Sequence, residues 1–125
     1  IIKTFFILLI ALCIANVRQI IADDNGLQYE FHIIDALPNN KIPLRFHCAS
    51  KDDELGYHKP KVGDDFHWRF RINAIESTLF FCHFWWGKKQ RAFEVFNRHL
   101  VKYCSGDFPT HFCYWKVQAD GFYLG

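Results

Sequence analysis

Cys104, His111 and Cys113 lie close together near the end of the chain and carry the side chains zinc prefers. Both cysteines are also wanted for disulfides, and that reading takes precedence, so no metal ligand set is expected. Seven histidines invite acid–base chemistry, since paired imidazoles can take and return a proton in ribonuclease-type cleavage. The two local His–aromatic clusters are His67-Trp68-Arg69-Phe70 and His83-Phe84-Trp85-Trp86. Neither has the His-Gly-Leu-Trp-Pro pattern of a secreted ribonuclease, and strand alternation alone accounts for both. No Gly-x-Ser-x-Gly elbow and no Ser/His/Asp arrangement is found. The acidic run Asp52-Asp53-Glu54 lacks the ligand alternation of an EF-hand loop and reads first as a solvated turn. Lys88-Lys89-Gln90-Arg91 is the only dense basic patch and reads as a hairpin tip. No catalytic residue and no cofactor is expected.

The elements that must carry these residues are all strands. Runs rich in Phe, Ile, Val, Trp and Tyr are separated by Gly, Pro, Asn and Asp. Tyr29 to Ile33 alternates, and Leu37-Pro38-Asn39-Asn40 ends it as a turn. Ile42 to Ser50 puts Leu44, Phe46 and Cys48 on one face. Lys51 to Gly56 reads as a charged loop, with a short strand at Tyr57-His58-Lys59. The clearest pattern follows: Phe66, Trp68, Phe70 and Ile72 point one way, and Asp65, His67, Arg69 and Arg71 the other. Thr78 to Trp86 is apolar on both faces, which predicts a central strand covered from both sides. Gly87-Lys88-Lys89 turns the chain into Ala92–Phe96. Cys113–Val117 is the next strand, and Asp120-Gly121 turns into Phe122-Tyr123-Leu124. The predicted fold class is all-β, a small antiparallel sandwich.

Residues 1–22 read differently. Lys3 precedes an uncharged apolar run from Thr4 to Ala15, and Ile20-Ile21-Ala22 offers a small residue for cleavage, with Ala15 a second candidate. That is a signal peptide in form and too short to span a bilayer. The expected organisation is a leader at 1–22 and one domain at 23–125, secreted to the apoplast, with no membrane insertion once the leader is gone. The sequence holds no Met, so Ile1 is not expected to be the initiating residue. Of 15 basic and 13 acidic residues, Lys3 and Arg18 leave with the leader, which makes the domain neutral before its histidines titrate. The net charge therefore points to no basic binding surface. Nucleic acid normally needs a clustered positive face, and the one dense patch, Lys88 to Arg91, reads as a hairpin tip, so no nucleic-acid partner is expected. Near-neutrality also argues against direct attack on membranes. Cys13 belongs to the leader. Cys48, Cys82, Cys104 and Cys113 remain, an even set in a small exported domain, and so two disulfides are expected. Three connectivities are possible; Cys48–Cys113 with Cys82–Cys104 is preferred because each bond joins elements distant in sequence, whereas Cys104–Cys113 closes only the loop from Ser105 to Phe112.

His47-Cys48-Ala49-Ser50-Lys51-Asp52-Asp53-Glu54-Leu55-Gly56 resembles the signature of the plant self-incompatibility protein family, the S-protein homologues. Pro60-x-x-Gly63-Asp64-x-Phe66-x-Trp68-x-Phe70, Thr78-Leu79-Phe80-Phe81-Cys82-x-Phe84-x-Trp86-Gly87 and Cys113-x-Trp115 are similar in the same order, as is Asp120-Gly121-x-Tyr123-Leu124. The likeness runs from Ile33 to Leu124. It implies a secreted β-sandwich with two disulfides, acting as an extracellular ligand, without enzymatic activity, for a cell-surface receptor, as the founding stigma proteins do for pollen. The family pattern also continues past Tyr123-Leu124 into a further strand. A monomer is expected, with receptor contacts at Asp52, Asp53 and Glu54 or at Lys88, Lys89 and Arg91. A secreted defence protein is the alternative, and a secreted ribonuclease the third reading.

Overall fold

The computed structural model describes residues 27–72 and 78–125, so the expected leader and the connector at Asn73–Ser77 lie outside the described residues. Eight strands follow in order: β1 (Gln28–Asp35), β2 (Leu44–Ala49), β3 (Glu54–His58), β4 (Asp65–Arg71), β5 (Phe80–Trp86), β6 (Lys89–Phe96), β7 (Thr110–Gln118) and β8 (Gly121–Leu124). A 3₁₀ turn, Val101–Tyr103, precedes β7. Two four-stranded sheets result. Sheet A has the order β4-β1-β7-β8 and sheet B the order β3-β2-β5-β6. The all-β sandwich expected from the alternation is therefore present. Its pairings are antiparallel except one: β1 and β7 run parallel in the centre of sheet A.

Alternation explains which faces meet. Phe31 and Ile33 of β1, Phe46 and Cys48 of β2, and Phe80, Cys82 and Phe84 of β5 are buried. Rings from the two sheets interlock in tilted and edge contacts, the geometry aromatic quadrupoles favour. Phe70 of sheet A lies 4.6 Å from both Phe80 and Phe96 of sheet B, and Phe31 lies 5.4 Å from Phe80. Trp115 adds a polar tie between the layers, its indole Nε1 donating to the Val95 carbonyl at 2.8 Å.

Four sequence expectations need correction. The disulfides are Cys48–Cys82 and Cys104–Cys113, not Cys48–Cys113 and Cys82–Cys104. Register decides this: Cys48 and Cys82 are direct partners across β2 and β5. Cys113 lies in β7 of the other sheet, and the 3₁₀ turn sets Cys104 beside it. Strand β5 is central in hydrogen bonding but covered on one face only, since Phe81 is 41% exposed. The charged loop is shorter than expected, because β3 starts at Glu54, with Glu54 and Gly56 already paired to β2 across an irregularity at Leu55. The basic tip is shorter too. Gly87 (φ +60°) and Lys88 form a two-residue turn of the glycine-first kind, while Lys89 to Arg91 are strand.

Candidate functional site

The expected contact residues fall at opposite ends of sheet B. β2 and β5 pair Leu44 with Trp86 at one end and Ala49 with Phe81 at the other. The turn bearing Lys88 sits at the first end and the loop bearing Asp52 and Asp53 beyond the second, separated by ~17 Å of strand. Asp52 and Asp53 are exposed at the tip of a closed turn, in which the Asp53 amide donates to Ser50 Oγ at 3.0 Å and the Ser50 amide to the Asp53 carbonyl at 2.8 Å. Glu54 is of a different kind. Its carboxylate accepts from the Gly56 amide at 3.0 Å and meets His47 Nε2. These bonds, the Gly56 amide foremost, hold the Glu54 carboxyl below its ordinary range. At the other end Lys89 Nζ sits 5.5 Å over the Trp86 ring, and Arg91 lies exposed along β6. Lys89 and Arg91 border a cleft of about 730 Å³ at that mouth of the sandwich, floored by Trp115 and Phe122.

Between the two ends, the outward face of sheet B carries a ladder of rings that sequence reasoning missed. His47 stacks on Tyr57 at 4.4 Å, Tyr57 on Trp85 at 6.2 Å and His83 on Trp85 at 4.0 Å. Tyr57 is 78% exposed, and it lines a shallow groove with Arg45, Lys59 and Trp85. His83 Nε2 is fixed by Gln90 Oε1 at 2.8 Å. The signal was present in β5, where Phe81, His83 and Trp85 alternate with the buried set. The double-sided apolarity of that run was read as cover rather than as an exposed aromatic face.

The outward face of sheet A carries a polar network instead. Glu30, His32, Asp65, His67 and Arg69 are brought together by the β1–β4 register, which sets His32 opposite His67 and Glu30 opposite Arg69. His32 Nδ1 lies 2.9 Å from both Asp65 oxygens, and Nε2 lies 2.7 Å from Glu30 Oε2. Arg69 Nε donates to Glu30 Oε1 at 3.1 Å. Burial opposes the charge on Glu30, but the bonds from His32 and Arg69 outweigh it and leave the carboxyl below its ordinary value. The two His–aromatic clusters, centred on His67 and His83, lie on different sheets and form no acid–base pair. Cys104 and Cys113 are joined to each other, and His111 faces inward, stacked on Tyr29 at 5.1 Å.

A disulfide-braced β-sandwich whose outer faces hold ordered polar and aromatic side chains belongs to the class of small rigid scaffolds that present a surface. Its family is defined by comparison: the chain belongs to the plant self-incompatibility protein S1 family, whose model matches residues 30–125. It is similar to S-protein homolog 5 of Arabidopsis thaliana, with 34% identity over 79 residues, covering 63% of this chain and 58% of that protein. S-protein homolog 24 of the same plant is 37% identical over 86 residues, covering 68% of this chain and 54% of that protein. The chain thus spans between half and two thirds of the length of these relatives. Among the described residues no helix is long and apolar enough to cross a membrane.

Proposed function

We propose that the protein is an extracellular recognition ligand, without catalytic activity, whose contacts with a cell-surface receptor are made by the outward face and ends of sheet B. The observation that supports this reading is the ring ladder Tyr57–Trp85–His83, exposed on paired strands and flanked by Asp52 and Asp53 at one end and Lys88, Lys89 and Arg91 at the other. Exposed aromatic anchors with a charged rim are the composition that dominates protein interfaces. Loops and strand ends on a rigid frame also lose little entropy on binding. The neutral domain charge supplies no overall positive field to draw in nucleic acid. The leader-like residues 1–22 support export, and the family supports self-incompatibility-type signalling.

The test is binding of the folded, oxidised protein to intact plant cells and to their detergent-solubilised surface proteins. Saturable binding is expected, reduced at least tenfold by Asp52→Lys with Asp53→Lys or by Lys88→Glu with Arg91→Glu, at unchanged melting temperature. Binding indifferent to both charge reversals and to Tyr57→Ala would sink the surface assignment. Turnover of RNA by the purified protein, lost on replacing one histidine, would sink the non-catalytic reading.

A further inference from the structure

We propose that His32, Asp65 and His67 form a binding site for a divalent transition-metal ion of the zinc class on the outer face of sheet A. The three ligand atoms lie within 4.8 Å of one another. Strand pairing makes the cluster: His32 faces His67 across β1 and β4, and Asp65 precedes His67 by two residues on the same face. Ligand atoms around a tetrahedral zinc, each at ~2.0–2.2 Å from the ion, stand ~3.3–3.6 Å apart. His32 Nδ1 and the Asp65 oxygens, at 2.9 Å, need open by about half an ångström to match. His67, exposed and stacked 5.3 Å from the His32 ring, needs only a side-chain swing.

The second observation is what holds His32. Its other nitrogen, Nε2, donates to Glu30, a carboxylate only 7% exposed that Arg69 pins from the far side. This is the carboxylate–histidine–metal relay found in protein metal sites, where a buried acid fixes the tautomer and aims the other nitrogen's lone pair at the ion. With Nε2–H directed at Glu30, Nδ1 faces the Asp65 carboxylate, and the space between them takes either a proton or a metal cation. Tyr114, 4.8 Å from the His32 ring, and Phe112, 6.2 Å away, wall one side and limit water. Two imidazoles and one carboxylate suit zinc, copper or nickel over calcium or magnesium. The remaining coordination position opens to solvent, since Asp65 and His67 are exposed.

The test is calorimetric titration of Zn²⁺ into the chelator-stripped, folded, oxidised protein near neutral pH, with X-ray absorption of the loaded sample. One ion per chain is expected, with a two-imidazole, one-carboxylate signature and no response to Mg²⁺. His67→Ala and Asp65→Asn, both at exposed positions, are expected each to weaken binding at least ~10-fold without lowering the metal-free melting temperature. Glu30→Gln is expected to weaken it ~10–100-fold through orientation alone. His83→Ala on the other sheet is expected to change nothing. Absence of saturable binding at millimolar zinc, undiminished binding in His67→Ala, or loss of binding in His83→Ala would each overturn the site.

Discussion

Cys48 and Cys82 stand directly opposite each other on neighbouring strands, their Cα atoms 4.1 Å apart, and both are fully buried. The bond therefore welds the two inner strands of sheet B from the core side. The Cys104–Cys113 bond spans only nine positions and ties a 3₁₀ turn to β7.

Removing the two bonds is expected to have unequal effects. Loop-closure entropy gives upper limits of ~4 kcal/mol for the 34-residue separation and ~2.5 kcal/mol for the nine-residue one. Urea unfolding of Cys48→Ala with Cys82→Ala, set beside Cys104→Ala with Cys113→Ala, measures the difference. A larger loss from the second pair would contradict the argument.

Acid is expected to weaken the fold through Glu30. Its folded carboxyl titrates below the ordinary 4.5, so below that pH the unfolded chain binds more protons than the folded one. The stabilisation is complete above 4.5 and drains away as pH falls through the folded value. Asp35 acts oppositely: burial, with the charge of Asp64, outweighs the Leu37 amide and raises it above 3.8, so its contribution is lost as pH rises through its folded value. Glu30→Gln should flatten the acid limb of stability against pH, measured by denaturant midpoints. An unchanged slope would remove Glu30 from the account.

Gly106→Ala is expected to cost ~1–3 kcal/mol. Gly106 has φ +99°, and an added Cβ would meet the Thr110 carbonyl oxygen at 3.0 Å and Phe112 Cδ2 at 3.2 Å. Thermal unfolding reads the loss, and Gly63→Ala is the useful comparison, because that glycine shares the positive φ (+92°) but has open space around it.

Trp115→Phe keeps a ring but deletes the indole donor to Val95. Leaving that buried carbonyl without its partner is expected to cost ~1–3 kcal/mol. Chemical denaturation of the variant checks it; a cost near zero would mean water replaces the bond.

Tyr57→Ala separates surface from scaffold. At 78% exposure the change is expected to move stability by no more than ~0.5 kcal/mol. Its expected effect is on cell-surface binding, read beside the melting temperature.

Strand positions and the core face were legible because alternation in stretches such as Asp65 to Ile72 admits one reading. The cysteines were legible as paired, but their partners were not, since separation along the chain says nothing of which strands adjoin. The same gap hid the His32–Asp65–His67 cluster, whose members come from two segments aligned only by register. It also hid the Tyr57–Trp85 stack. Glu54 misled for a local reason: an acidic run looks like loop, and only its pairing with Ala49 puts its last member in a strand, where its carboxylate meets the Gly56 amide and the His47 ring.

The parallel union of β1 with β7 has a consequence for how the molecule is made. The first described strand has β4 on one side but waits for its other neighbour, more than seventy positions downstream, so the middle of sheet A stays unfinished until β7 has emerged. Until then β1 has only β4 beside it in its sheet, and contacts closed over such distances form slowly. Sheet B, built from the intervening segment and closed by its own cystine, can assemble first and serve as the platform on which β1 and β7 later meet.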